Sequence, residues 1–100
     1  MQIDLNRQDD KLTAVMHGRI DTSTAPEAEK ILLSSLDGVT DLVLDFEDIQ
    51  YISSAGLRVL LLVYKRMKTQ GTLKLVKVGE VVREVLEITG FDELLNVEDA

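Results

Sequence analysis

After one opening hairpin, extended apolar runs and helically spaced apolar residues take turns along this chain, and that alternation leaves few architectures open. Residues 2–8 and 11–17 read as two strands joined by a tight turn at Asp9-Asp10, because Leu12, Ala14 and Met16 alternate with Thr13, Val15 and His17. Gly18-Arg19-Ile20-Asp21 then leaves that sheet. Thr24-Ala25-Pro26-Glu27 has the sequence of a capping box, with Pro26 in the first turn where its missing N–H does no harm. A helix is therefore expected from near Thr24 to Asp37-Gly38, with Ala28, Ile31, Leu32 and Leu36 as its apolar stripe.

The run from Leu42 to Asp45 is short and almost wholly apolar, as expected of a central strand covered by helices on both faces. A second helix is predicted over Ser54 to Thr69. Lys65, Arg66 and Lys68 complement its dipole, and Gly71 lies just beyond. Thr72 to Val78 reads as a further strand, although Val76 and Val78 blur which face is buried. Glu80 to Ile88 forms a third helix, stopped at Thr89-Gly90-Phe91, and Leu94 to Val97 reads as a short edge strand. Together these segments make one α/β domain over residues 1–100, a central mixed β-sheet with an N-terminal hairpin and about three helices.

Composition narrows the function. Eighteen acidic against 11 basic residues give a formal charge of −7, which disfavours nucleic acid, where a basic stripe must displace counterions. The acidity suits a basic partner or serves solubility alone. Cysteine is absent, as in proteins of a reducing compartment, and the chain is read as cytoplasmic. The residues Met1-Gln2-Ile3-Asp4 do not have the basic start and apolar stretch of an export signal, and the longest apolar run, Val59 to Tyr64, falls far short of the roughly 20 residues a membrane span requires. No membrane association is expected.

Ser53-Ser54-Ala55-Gly56 concentrates the chemistry, since two adjacent hydroxyls sit where an extended apolar segment turns directly into a helix. A phosphate there would add a charge of about −1.5 to −2 without refolding the domain. The plain alternative is helix capping, for which Ser53 is the natural residue. Gly56 has two readings, close approach of another protein to the backbone and tight packing of helix on sheet. An enzyme built on Ser54 and His17 finds no support: no Gly-x-Ser-x-Gly elbow is present, and a lone histidine on a strand is ordinarily structural or exposed. Asp45, Glu47 and Asp48 read as a solvated turn rather than a metal cage, and no cofactor is expected.

Three motifs in order resemble the STAS domains, and among them the stand-alone anti-sigma factor antagonists of bacteria. Gly18-Arg19-Ile20-Asp21 is similar to the family's Gly-x-hydrophobic-Asp step, and Leu42-Val43-Leu44-Asp45-Phe46 to its central strand. Tyr51-Ile52-Ser53-Ser54-Ala55-Gly56-Leu57 resembles its aromatic-hydrophobic-Asp-Ser-Ser/Thr-Gly-Leu signature. The resemblance implies partner switching, in which the unmodified domain binds an anti-sigma factor that is also a serine kinase and so frees a sigma factor. Phosphorylation ends binding, and a serine phosphatase restores it.

Aligned on Gly56-Leu57, the family's phosphoacceptor falls on Ser54, its preceding aspartate on Ser53 and its following Ser/Thr on Ala55. Asp21, Thr24, Ser53, Ser54 and Gly56 then form the implied partner-facing end of a protein expected to be monomeric. The chain also ends at Ala100, where many relatives add a helix, so a surface made by that helix is expected to be absent. The competing reading is a STAS-type interaction or ligand-sensing module of a larger signalling or lipid-transport assembly, with Ser54 a contact residue that is never modified.

Overall fold

The computed structural model describes residues 1–99, so the expected domain limit at Ala100 lies outside the described residues. Gln2–Gln8 (β1) and Lys11–Ile20 (β2) pair antiparallel, from Gln2 opposite His17 to Gln8 opposite Lys11. Asp9 takes φ +56 in the two-residue connection, a left-handed conformation that aspartate tolerates. There follow Ala25–Ser34 (α1), Asp41–Ile52 (β3), Ser54–Lys68 (α2), Thr72–Val78 (β4), Glu80–Thr89 (α3), Phe91–Leu94 (α4) and Asn96–Asp99 (β5). Among the described residues the five strands form one sheet in the order β1-β2-β3-β4-β5, parallel from β2 onward.

Two expectations about the first strands fail for one reason. β2 does not leave the sheet at Gly18 but runs to Ile20, and β3 extends to Ile52 instead of ending at Asp45. The pairing shifts register between Val15 and His17 and again between Gly18 and Arg19, so that His17 faces Asp48 and Ile20 faces Ile52. Each shift lets β3 absorb an extra residue, which breaks the two-residue alternation by which a strand is recognised. Phe46, Ile49 and Ile52 are thereby all buried. Gly18, at φ +94, provides the left-handed backbone beside the second shift.

The sheet is covered on one face. Each parallel connection steps to the adjacent strand in the same direction, and right-handed crossovers then carry α1, α2 and α3 to the same side. Leu12, Leu42 and Leu73 lie in register, as do Ala14, Leu44 and Leu75, and all six are buried beneath the helices. Thr13, Val15, His17, Val43, Asp45, Lys74 and Val76 point the other way and are only half-buried. The expected second covering layer is thus corrected. Leu42, Leu44, Leu60, Leu75 and Leu86 are fully enclosed, each stabilising the fold by about 1.5–3 kcal/mol.

Later differences are local. Lys77 adopts φ +56, which turns Val78 back into the core after Val76 has faced outward, and this explains the blurred pattern of β4. Gly90 ends α3 in the left-handed conformation, as expected, but a single turn, α4, follows. Leu94 belongs to that turn, held by the Leu95 N–H to the Phe91 carbonyl at 2.8 Å, so β5 begins at Asn96 rather than Leu94.

Candidate docking and modification site

The two strand-to-helix junctions meet at the carboxyl ends of β2 and β3, where an open α/β sheet ordinarily presents its site. The Ser53 N–H donates to the Ile20 carbonyl at 2.8 Å and so ties the mouth of α2 to the end of β2. Ser53 is extended, at φ −93 and ψ 178, and its Oγ accepts the Gly56 N–H at 3.3 Å. It is the helix cap. Ser54, the first helical residue, is exposed, and its hydroxyl bonds to none of the described residues.

Gly56 is buried. A methyl group there would lie 2.6 Å from Ile52 Cγ1 and 2.8 Å from both Ile20 Cγ2 and the Ile20 carbonyl oxygen. Tight packing therefore accounts for this glycine, which brings the first turn of α2 down onto the ends of β2 and β3 and keeps Ser54 on the outside.

Asp21 and Thr24 organise the neighbouring loop. Asp21 Oδ1 accepts the Ser23 hydroxyl at 2.7 Å, the Ser23 N–H at 3.0 Å and the Thr24 N–H at 3.2 Å. These bonds, the Ser23 hydroxyl foremost, hold its carboxyl below the usual aspartate range. Thr24 Oγ1 accepts the Asp21 N–H at 2.9 Å and donates to the Arg19 carbonyl at 2.8 Å. The expected capping box does not form. Thr24 is the cap by position, but its side chain turns back into the loop, and Glu27 pairs with the Met1 amino group at 3.0 Å. Pro26 at the second helical position has no N–H for a cap to accept.

Between α1 and α2, beside Ser54, lies a groove of about 350 Å³ lined by Thr22, Pro26, Glu29, Ala55, Arg58 and Val59. Sequence reasoning passed over Arg58, although its place four residues after Ser54 was a usable signal. Tyr51, the aromatic of the serine-bearing segment, is steadied by Arg19, whose guanidinium stands 4.7 Å from the ring centroid.

His17 has a more definite place than a lone strand histidine suggested. Its Nδ1 is 2.7 Å from Asp48 Oδ2 and its Nε2 is 2.9 Å from Asp4 Oδ2, across three strands of the outer face. Two carboxylates satisfy both ring nitrogens only when both carry protons. The Asp48 bond, then the Asp4 bond, accordingly pushes the imidazole above its ordinary range. Asp45 and Glu47, expected in a solvated turn, lie within β3 and reach Lys77 at 3.6 and 3.4 Å. The Asp45 carboxylate foremost raises the Lys77 ammonium. Among the described residues no helix is long and apolar enough to cross a membrane.

A family model described as the STAS domain matches residues 2–100. A relative from Bordetella bronchiseptica, BtrV, described as a candidate anti-sigma factor antagonist, is 41% identical over 91% of this chain and 80% of its own length. A crystal structure of an anti-sigma factor antagonist from Mycobacterium paratuberculosis superposes with a TM-score of 0.88 at 23% identity, covering 99% of this chain and 86% of that one. The Bacillus cell fate determinant SpoIIAA in its phosphorylated form superposes at 0.74 with 15% identity, over 96% and 90% of the two chains. At such identities the two structures speak to the fold alone.

Proposed function

The chain belongs to the STAS domain family, among the anti-sigma factor antagonists, and on that premise we propose that it is a partner switch controlled by phosphorylation of Ser54. Unmodified, it binds an anti-sigma factor that doubles as a serine kinase and so releases a sigma factor. The kinase moves the γ-phosphoryl group of ATP to Ser54 Oγ, with loss of the hydroxyl proton and departure of ADP, and binding ends. A serine phosphatase hydrolyses the phosphate and resets the switch. The protein acts in the cytoplasm as a monomer that binds and does not catalyse.

The observation that carries this reading is the exposed Ser54 hydroxyl, without a partner among the described residues, at the mouth of α2. No acidic residue occupies the first turn of that helix, so a phosphate would meet free N–H groups and the positive dipole end unopposed. Modification would stabilise the helix by about 0.3–1 kcal/mol, and the fold would stay as it is. Binding is lost on the partner's side, where a bulky dianion in a packed interface costs several kcal/mol and about 1.4 kcal/mol already means a tenfold loss.

Asp21, Thr24, Ser53 and Ser54 line the docking end, which Gly56 shapes from beneath. Ser53 stands where the family pattern has aspartate and Ala55 where it has Ser or Thr, so the kinase must accept an acceptor without an adjoining acid. A catalytic role for Ser54 has no base to draw on in His17, whose two ring nitrogens are held by Asp48 and Asp4.

Capture from host lysate with wild-type, Ser54→Ala and Ser54→Asp baits, followed by mass spectrometry, tests the proposal. A kinase-like protein should be retained by the first two baits and lost with the third, and ATP should add phosphate at Ser54. A stable complex indifferent to Ser54→Asp would instead assign the chain to a scaffold module of a larger assembly. Full phosphorylation of Ser54→Ala would place the acceptor elsewhere.

A further inference from the structure

Four of the five arginines are engaged within the molecule. Arg7 donates to the carbonyls of Asp9 and Asp37, Arg19 lies beside Asp21 and Tyr51, Arg66 joins Asp37 and Gln70, and Arg83 pairs with Glu87. Arg58 alone makes no hydrogen bond or ion pair with any described residue, in a chain with 18 carboxylate side chains. The helix dipole does not favour it either. Lys65, Arg66 and Lys68 sit in the last turn of α2, where positive charge is stabilised, whereas Arg58 sits in the second turn from the other end.

Its position relative to Ser54 gives the idle charge a use. The two residues are four apart on α2, and both are exposed, while Leu57, Val59 and Leu60 face the core. An acid at one position and a base four residues later is the favoured order for a pair on a helix surface. Guanidinium, moreover, matches phosphate with two parallel N–H donors.

We infer that Arg58 is the built-in receiver of a phosphate on Ser54, folding back one turn of α2 to pair with its oxygens. This rests on the Ser54 reading above and adds a second action to the switch. Phosphorylation not only adds negative charge to the docking face but also withdraws the one cation that the adjoining groove presents between α1 and α2. The groove then keeps Glu29 and loses Arg58.

The test needs neither kinase nor partner. Phosphoserine is installed at position 54 of the full chain by an expanded genetic code, and phosphorus NMR follows its second ionisation, near pH 6. With Arg58 in place the second acid constant should be about twofold larger than in Arg58→Gln, with Arg58→Lys between them. The difference should shrink in about 1 M salt. Because Arg58 is exposed and makes no hydrogen bond or ion pair with any described residue, the variants keep their structure. Superimposable titrations for wild type and Arg58→Gln overturn the pairing. Failure of Ser54 to be phosphorylated in the cell would sink the functional proposal while leaving this measurement intact, so the two failures are separable.

Discussion

The two ends of α2 are built from similar materials and put to different uses. Each carries a glycine pressed against neighbouring backbone, Gly56 at the start and Gly71 just past the end. Each borders a groove of similar size, about 350 Å³ at the first and about 300 Å³ at the second, which is lined by Tyr64, Met67, Lys68 and Leu94 among others. Cavity size therefore does not tell the ends apart.

Polar bonding does. At the far end the Gln70 amide donates to the carbonyls of Leu36 and Val39 at 2.6 and 2.7 Å, and its oxygen accepts from Arg66 at 3.0 Å. Arg66 also reaches Asp37 at 2.8 Å. Two loops are locked together there by groups that answer one another. At the near end the Ser53 N–H reaches the Ile20 carbonyl at 2.8 Å and the Ser53 hydroxyl makes one cap bond of 3.3 Å, but the Ser54 hydroxyl and Arg58 guanidinium bond to none of the described residues. An end whose polar groups are mutually satisfied holds the fold together, whereas an end that leaves them open has something to offer another molecule.

Breaking the locked end should have the largest effect. A methyl group in Gly71→Ala would fall onto the Thr40 carbonyl, a backbone group with no rotamer to change. The expected loss is about 3 kcal/mol, read from the urea midpoint. A midpoint equal to that of wild type would show that the two loops separate freely, and the contrast between the ends would collapse.

Gly56→Ala should cost less, because its closest contacts, 2.6 Å to Ile52 Cγ1 and 2.8 Å to the Ile20 carbonyl oxygen, are less severe than the overlap at Gly71, and because alanine returns about 1 kcal/mol of helix propensity. A net loss of about 1–2 kcal/mol is expected, with backbone amide shifts concentrated at Asp21, Ser53 and Ser54. A stabilised Gly56→Ala would mean that the glycine serves access from outside and not packing from within.

What could be read beforehand follows the same division between local and distant causes. The hairpin, the start of α2 and the left-handed stop at Gly90 were legible, since periodicity, caps and glycine act within a few residues. Ser53 as the cap belongs to that class, and the family likeness separated Ser54 from it. The true length of β3 was hidden because two register shifts place Glu47, Asp48 and Gln50 inside a strand that alternation would have ended at Asp45. That only one sheet face is covered depends on the order of strands, which no local pattern encodes. The bridge from Asp4 through His17 to Asp48 spans residues 13 and 31 positions apart. Arg58 carries a local signal in its spacing from Ser54, but its lack of a polar partner among the described residues is a property that only the folded arrangement reveals.

The smallest stability effects should divide the two adjacent serines. Ser53→Ala removes the side-chain acceptor of the Gly56 N–H, a long bond at 3.3 Å, and should cost about 0.5–1 kcal/mol while leaving incorporation of phosphate at position 54 measurable. Ser54→Ala removes an exposed hydroxyl that bonds to none of the described residues, so its urea midpoint should correspond to a change within about 0.5 kcal/mol, yet phosphate incorporation should vanish. The two measurements move in opposite directions for neighbouring residues of one chemical type, because one hydroxyl faces the helix it starts and the other faces solvent. If Ser54→Ala proved the more destabilising of the pair, its hydroxyl would have to be bonded within the fold, and the near end of α2 would be another structural lock like the far one.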